Sequence, residues 1–122
     1  MKFTLSNTGT SHAFSASGEG WVEINGVRHT RSLVLGSDRA PQDWGHAFEQ
    51  LTEQDFTQLL DWKPEIIVFG SGRLFRFPHP RLTRLLPEAR VGLEVMDTRA
   101  ACRTFNVLAG EGRRVVAAIL IE

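Results

Sequence analysis

The sequence contains no tyrosine and a single cysteine, Cys102, among its 122 residues. A lone thiol forms no internal disulfide, so nothing in the cysteine usage requires an oxidising compartment. Long hydrophobic runs are also missing. The longest, residues 115–121, is far short of the ~20 residues that span a bilayer. Residues 1–15 hold one lysine and lack the apolar stretch of a secretory signal, and no Arg-rich transit segment is present. These absences predict a soluble, cytoplasmic protein with no membrane attachment.

Net charge is absent as well, with 14 Lys/Arg against 14 Asp/Glu. The balance is uneven along the chain. Residues 1–62 carry four Lys/Arg and eight Asp/Glu, and residues 63–122 carry ten and six. The first expectation is that the two halves pair inside one fold, with Arg113 and Arg114 meeting acids of the N-terminal half. The alternative is an anionic partner held by the second half.

Catalytic signatures are scarce. His12, His29, His46 and His79 share no metal-ligand spacing with one another or with Cys102, so no metal and no cofactor is expected. No carboxylate spacing marks an acid/base pair. Ser71 lacks the wider Gly-x-Ser-x-Gly elbow of a nucleophile and has no histidine nearby in sequence. Cys102 falls at the edge of an apolar helical arc, past the first turn, and reads as core rather than as an activated thiol.

What is present suits one domain over residues 1–122. Apolar residues make up 42% and charged residues 23%, a globular composition. Residues 11–36 read as strands. Gly18-Glu19-Gly20 is a turn, residues 21–24 are a β-type run, Asn25-Gly26 is a hairpin signal, and residues 32–35 look like a returning strand stopped at Gly36. Residues 37–50, with Pro41 and Gly45, read as a loop pinned by Trp44 and Phe48.

Thr52 and Asp55 are spaced as a capping box, and Leu51 and Phe56 as a hydrophobic staple. This first helix ends before Pro64. Residues 66–69 form a continuous apolar run, as in strands covered on both faces. Pro80 opens a second helix with Leu82, Leu85 and Leu86 as its stripe, limited by Pro87. Residues 91–96 are a further strand. Asp97 or Thr98 caps a third helix, whose buried arc holds Ala101, Cys102, Phe105, Leu108 and Ala109, with Gly110 as its left-handed C-cap. Residues 115–121 form a final buried strand.

Residues 92–108, GLEVMDTRAACRTFNVL, and residues 111–118, EGRRVVAA, resemble the signature of the Mth938-like family, also known as the DUF498 domain. Residues 64–72, PEIIVFGSG, resemble its other hallmark. The likeness covers most of the chain, with residues 37–50 the least clear. Phe105 stands where relatives often carry Tyr, and Ser71 where many carry Thr. The resemblance implies an α/β fold of three-layer β+β/α type, with a mixed central sheet, N-terminal β-hairpins and two to three helices. It implies no reaction. Members of the family include a mitochondrial assembly factor for respiratory complex I and a vertebrate protein linked to adipocyte differentiation.

Gly70-Ser71-Gly72 and Asp97-Thr98 each follow a buried strand. If those strands are parallel neighbours, both segments lie at the carboxyl end of the sheet, where α/β proteins bind ligands. Exposed backbone amides and a helix N-terminus would suit a small anion or polar metabolite, with Arg73 adding a full charge. Asn106 either bonds a loop backbone or faces that cleft. The candidate pocket is therefore Gly70, Ser71, Gly72, Arg73, Asp97, Thr98 and Asn106.

The leading expectation is a non-enzymatic binding, adaptor or complex-assembly protein with a protein partner. The alternative is an enzyme or small-anion binder using the pocket. Weak single-stranded nucleic-acid binding through Arg73, Arg76, Arg81 and Arg84, with Phe75 and Phe77 between them, is a third reading. A pI of about 6.9 counts against it, and so does the alternation of the phenylalanines, which is that of buried strand residues.

Overall fold

The computed structural model describes residues 12–45 and 47–122. His46 and residues 1–11 of the N-terminal segment lie outside the described residues.

The period-2 segments at the start build a small antiparallel sheet of β1 (Phe14–Gly18), β2 (Trp21–Ile24) and β3 (Val27–His29), in that order. Asn25 and Gly26 form the expected two-residue turn, with φ of 49° and 86°. The strand that returns from this turn is β3. Residues 32–35, expected to return here, instead begin β4 (Leu33–Gly36), which enters a second sheet. All four residues of β4 are buried, so it belongs where both faces are covered.

That second sheet has the order β5-β4-β8-β6-β7, with β5 (Arg39–Asp43), β6 (Ile66–Gly70), β7 (Gly92–Met96) and β8 (Val115–Ile119). β6 pairs in parallel with β7 and β8, while β4 pairs antiparallel with β8 and β5. The central sheet is therefore mixed. β5 corrects the reading of residues 37–50 as a loop. Pro41 does not prevent a strand here because β5 is an edge, where a missing N–H leaves no partner unsatisfied.

One face of this sheet packs on the β1–β3 sheet and on α4 (Thr98–Gly110). Phe14, Val22 and Ile24 share a core with Ala101, Cys102, Phe105, Val68 and Ala117. Phe14 and Phe105 meet edge to face, ring centroids 5.5 Å apart, a geometry worth about 1 kcal/mol beyond the area it buries. The other face carries a second core, where Trp44, Phe56 and Phe69 cluster with Leu59, Leu82 and Leu86. The Trp44 indole N–H donates to the Asp55 carbonyl at 3.0 Å, so its polar edge is satisfied.

The capping box forms at α1 (Glu53–Thr57). Thr52 N–H donates to Asp55 Oδ2 at 2.8 Å and Asp55 N–H to Thr52 Oγ1 at 3.3 Å. A 3-10 turn, Gln58–Trp62, continues it to Lys63, left-handed at φ 52° just before Pro64. The second expected helix is two short pieces, α2 (Pro80–Thr83) and α3 (Leu85–Glu88), that break at Arg84. Pro87 has no N–H to give the carbonyl of Thr83, so it interrupts the helix upstream of itself instead of ending it. In α4 the expected arc is buried, but Gly110 is still helical. The left-handed residue is Gly112, at φ 81°, after Glu111 closes the last turn. Arg113 and Arg114 meet Glu65 of the second half and not N-terminal acids. Arg113 Nε lies 3.9 Å from Glu65 Oε2, and Arg114 N–H donates to Glu65 Oε1 at 2.9 Å. Pairing between the halves is carried instead by Arg76 with Glu49 and Arg84 with Glu53.

Candidate functional site

β6 and β7 are parallel neighbours, so their carboxyl ends lie side by side. From there the chain diverges. After β6 it runs to α2 and α3 on the Trp44 face, and after β7 to α4 on the Phe105 face. Opposite departures from adjacent strands open the end of a sheet to ligands.

The opening is laced by hydrogen bonds. Gly72 N–H donates to Thr98 Oγ1, and Thr98 N–H donates to the Gly72 carbonyl, each at 2.9 Å. Thr98 Oγ1 also donates to the Leu120 carbonyl at 2.6 Å. Ser71 N–H reaches the Met96 carbonyl, and Leu120 N–H the Gly70 carbonyl, each at 2.9 Å. This approach explains two glycines. A Cβ on Gly70 would stand 3.0 Å from Thr98 Cα, and one on Gly72, at φ 99°, would strike the Glu122 carboxylate.

Ser71 is fully buried, and its hydroxyl is used on both sides. It donates to the Leu74 carbonyl at 2.6 Å, with the Met96 carbonyl at 3.2 Å, and accepts from Arg76 N–H at 2.9 Å. Arg76 clamps the same loop. Its Nη2 bonds the Ser71 carbonyl and Glu122 Oε2, both at 2.7 Å, and the guanidinium lies 4.4 Å over the Phe48 ring. Asp97 is the N-cap of α4, accepting from Ala100 N–H at 2.9 Å. Burial, aided by the Asp97 charge, pushes the Cys102 thiol up to about 12, so this cysteine stays neutral and unreactive.

Beside this knot lies a cavity of about 370 Å³. Gly72, Arg73, Asp97 and Thr98 line it, opposite the β1–β2 turn with Glu19 and Trp21. Gly70 and Ser71 are not in its wall. Asn106 is also elsewhere: its amide accepts from Phe14 N–H at 3.0 Å and donates to the Phe14 carbonyl at 2.8 Å, tying β1 to α4. Sequence reasoning missed Glu19, Trp21, Arg99 and Glu122, which also line the cavity. They come from segments far apart in the chain, and no local pattern announces their meeting. The lining holds two arginines against three carboxylates, Glu19, Asp97 and Glu122. Among the described residues no group of three or more His, Cys, Asp or Glu is placed to hold a metal.

The loop between β6 and α2 departs from expectation. Phe75 and Phe77 are 58% and 71% exposed, and Leu74 is 68% exposed. The alternation resembles a strand, yet Ser71 takes up the backbone groups of Leu74 and Arg76, and Pro78 and Pro80 interrupt pairing.

The fold and the sequence define one class. Residues 14–120 match the family described as "Protein of unknown function (DUF498/DUF598)", and the chain belongs to it. A Bordetella parapertussis crystal structure is 34% identical, covers 91% of this chain and 96% of that one, and superposes with a TM-score of 0.86. A solution structure of a Mth938-like domain from Bordetella pertussis is 28% identical, covers 98% and 92%, and gives a TM-score of 0.81. The expected Mth938-like fold is thus the fold found. Among curated proteins, NADH dehydrogenase (ubiquinone) 1 alpha subcomplex assembly factor 3 from Bos taurus is 32% identical over 108 residues, 87% of this chain and 58% of that protein. The chain thus spans a little over half of that relative's length. Among the described residues, no helix is long and apolar enough to cross a membrane.

Proposed function

We propose that this protein is a non-enzymatic adaptor that assists the assembly of a larger protein complex. The observation that carries this reading is the 32% identity, over 87% of the chain, to a protein named as a NADH dehydrogenase assembly factor. The site chemistry supports it. The one serine at the strand end has its hydroxyl bonded on both sides, and the one cysteine is buried and neutral. By the same likeness, subunits of a respiratory NADH dehydrogenase are the partners we propose. The test is affinity capture of the tagged chain from its own cells, with native gels of NADH dehydrogenase in cells lacking the chain. Co-purifying subunits and stalled subcomplexes are expected. No captured subunit together with normal assembly would overturn the reading. A cytoplasmic location and a single domain over residues 1–122 belong to the same proposal. Fractionation and limited proteolysis check them.

A second reading rests on the 370 Å³ cavity. With acids outnumbering arginines in its wall, a polar or zwitterionic metabolite fits better than a simple anion. A thermal-shift screen of such compounds, repeated with Arg73→Ala, tests it. Arg73 is the better probe than Asp97, whose carboxylate also caps α4.

A further inference from the structure

We infer that the loop from Arg73 to Arg81 is a docking surface for a protein segment that presents apolar side chains flanked by carboxylates. This rests on the adaptor reading and names the chemistry of its partner.

Leu74, Phe75 and Phe77 are three of the five large apolar side chains exposed among the described residues, and they fall within four positions of the chain. The other two, Val27 and Val107, stand singly in the sequence. Contiguous exposed apolar groups mark interaction sites, whereas scattered ones do not. The two rings lean on each other, centroids 5.0 Å apart. The backbone beneath them is already ordered. The Ser71 hydroxyl holds both Leu74 and Arg76, the Arg76 guanidinium holds Ser71 and Glu122, and Pro78 is buried. A surface fixed in advance loses little entropy on binding.

Charge selects the occupant. Arg73 precedes the cluster and Arg81 follows it. Both are exposed, and among the described residues neither guanidinium has a carboxylate at ion-pair distance, although Arg73 N–H donates to Glu122 Oε1 at 3.3 Å. Their neighbours Arg76 and Arg84 are paired, with Glu49 and Glu122 and with Glu53. A partner with its own carboxylates completes Arg73 and Arg81. A second copy docked through the same patch would set those arginines against themselves. An extended anionic surface, a bilayer or a nucleic acid, would also meet Glu49, its side chain 74% exposed beside Arg76, whereas a short segment can place its carboxylates on Arg73 and Arg81 alone.

The test places a photo-crosslinking phenylalanine analogue singly at positions 75, 27 and 107 of the full chain, in its own cells. The expected result is one protein adduct from position 75 alone, on a peptide with Asp or Glu beside apolar residues. Arg81→Glu should cut its yield about tenfold, and Lys in place of the partner's carboxylate should restore it. An adduct with a second copy, a lipid or a nucleic acid overturns the inference. So does a charge reversal without effect. Partner adducts at position 27 or 107 but not 75 overturn it while leaving the adaptor reading standing. No protein adduct at any position overturns both.

Discussion

Gly72 and Thr98 are hydrogen-bonded twice over, each N–H finding an oxygen of the other residue at 2.9 Å. Thr98 Oγ1 also donates to Leu120 at 2.6 Å, so one hydroxyl joins the ends of β6, β7 and β8. Thr98→Val keeps the shape and removes the hydroxyl, stranding Gly72 N–H and the Leu120 carbonyl. A loss of about 1–3 kcal/mol is expected, seen as a melting point several degrees lower. Thr98→Ser retains the oxygen and should lose less than half as much. Equal losses in the two variants would show that the methyl matters as much as the hydroxyl, and no loss in Thr98→Val would show that the hydroxyl is dispensable.

Ser71 is predicted to be structural. Ser71→Ala leaves the Leu74 carbonyl and Arg76 N–H without their partner in a part-buried turn. The expected cost is again about 1–3 kcal/mol by urea unfolding. Ser71→Thr keeps the hydroxyl and should retain most of the stability. Labelling of native Ser71 by a fluorophosphonate probe would contradict the assignment.

Much of the architecture was legible because its signals are local. The Thr52–Asp55 box, the apolar run of β6, Pro80 at the start of α2 and Asp97 at the start of α4 each need only a few neighbouring residues. β5 was hidden because Pro41 reads as a breaker unless the strand is known to be an edge. One wall of the cavity, Gly72, Arg73, Asp97 and Thr98, could be named from the sequence for the same reason: strand–loop–helix junctions have sequence marks. Its other wall could not. Glu19 and Trp21 reach Asp97 and Glu122 only because the small sheet packs beside α4. Phe75 and Phe77 misled in the opposite way, since alternation signals a strand only where a neighbouring strand accepts the backbone bonds.

Asn106 acts on β1 much as a neighbouring strand would, giving and taking one bond with the Phe14 backbone. Asn106→Ala removes both bonds from a half-buried edge. Stability should fall by about 1–2 kcal/mol, and amide exchange at Phe14 should accelerate more than exchange in β6. Asn106→Asp keeps the acceptor for Phe14 N–H but faces the Phe14 carbonyl with an oxygen, so it should not rescue. Uniform acceleration across both sheets would mean that β1 does not open independently.

Cys102 is the group whose titration should be felt by the whole fold. Burial holds its thiol near a pKa of about 12, while an unfolded cysteine titrates near 8.5. Below pH ~8.5 the thiol is neutral in both states and has no effect on the pH dependence. Above it, the unfolded chain gives up a proton that the native chain keeps. The unfolded state then binds fewer protons, and stability falls as pH rises, by up to about 1.4 kcal/mol per pH unit until the native thiol itself ionises near 12. Cys102→Ala should start from lower stability, because it leaves a small cavity, yet decline less steeply between pH 9 and 11. Urea midpoints of the two proteins across that range measure the difference. Matching slopes would mean that the thiolate is tolerated inside, and the same native protein would then react with a disulfide reagent at pH 8 without unfolding. The burial of Cys102 predicts no such reaction, and one titratable thiol once urea opens the core.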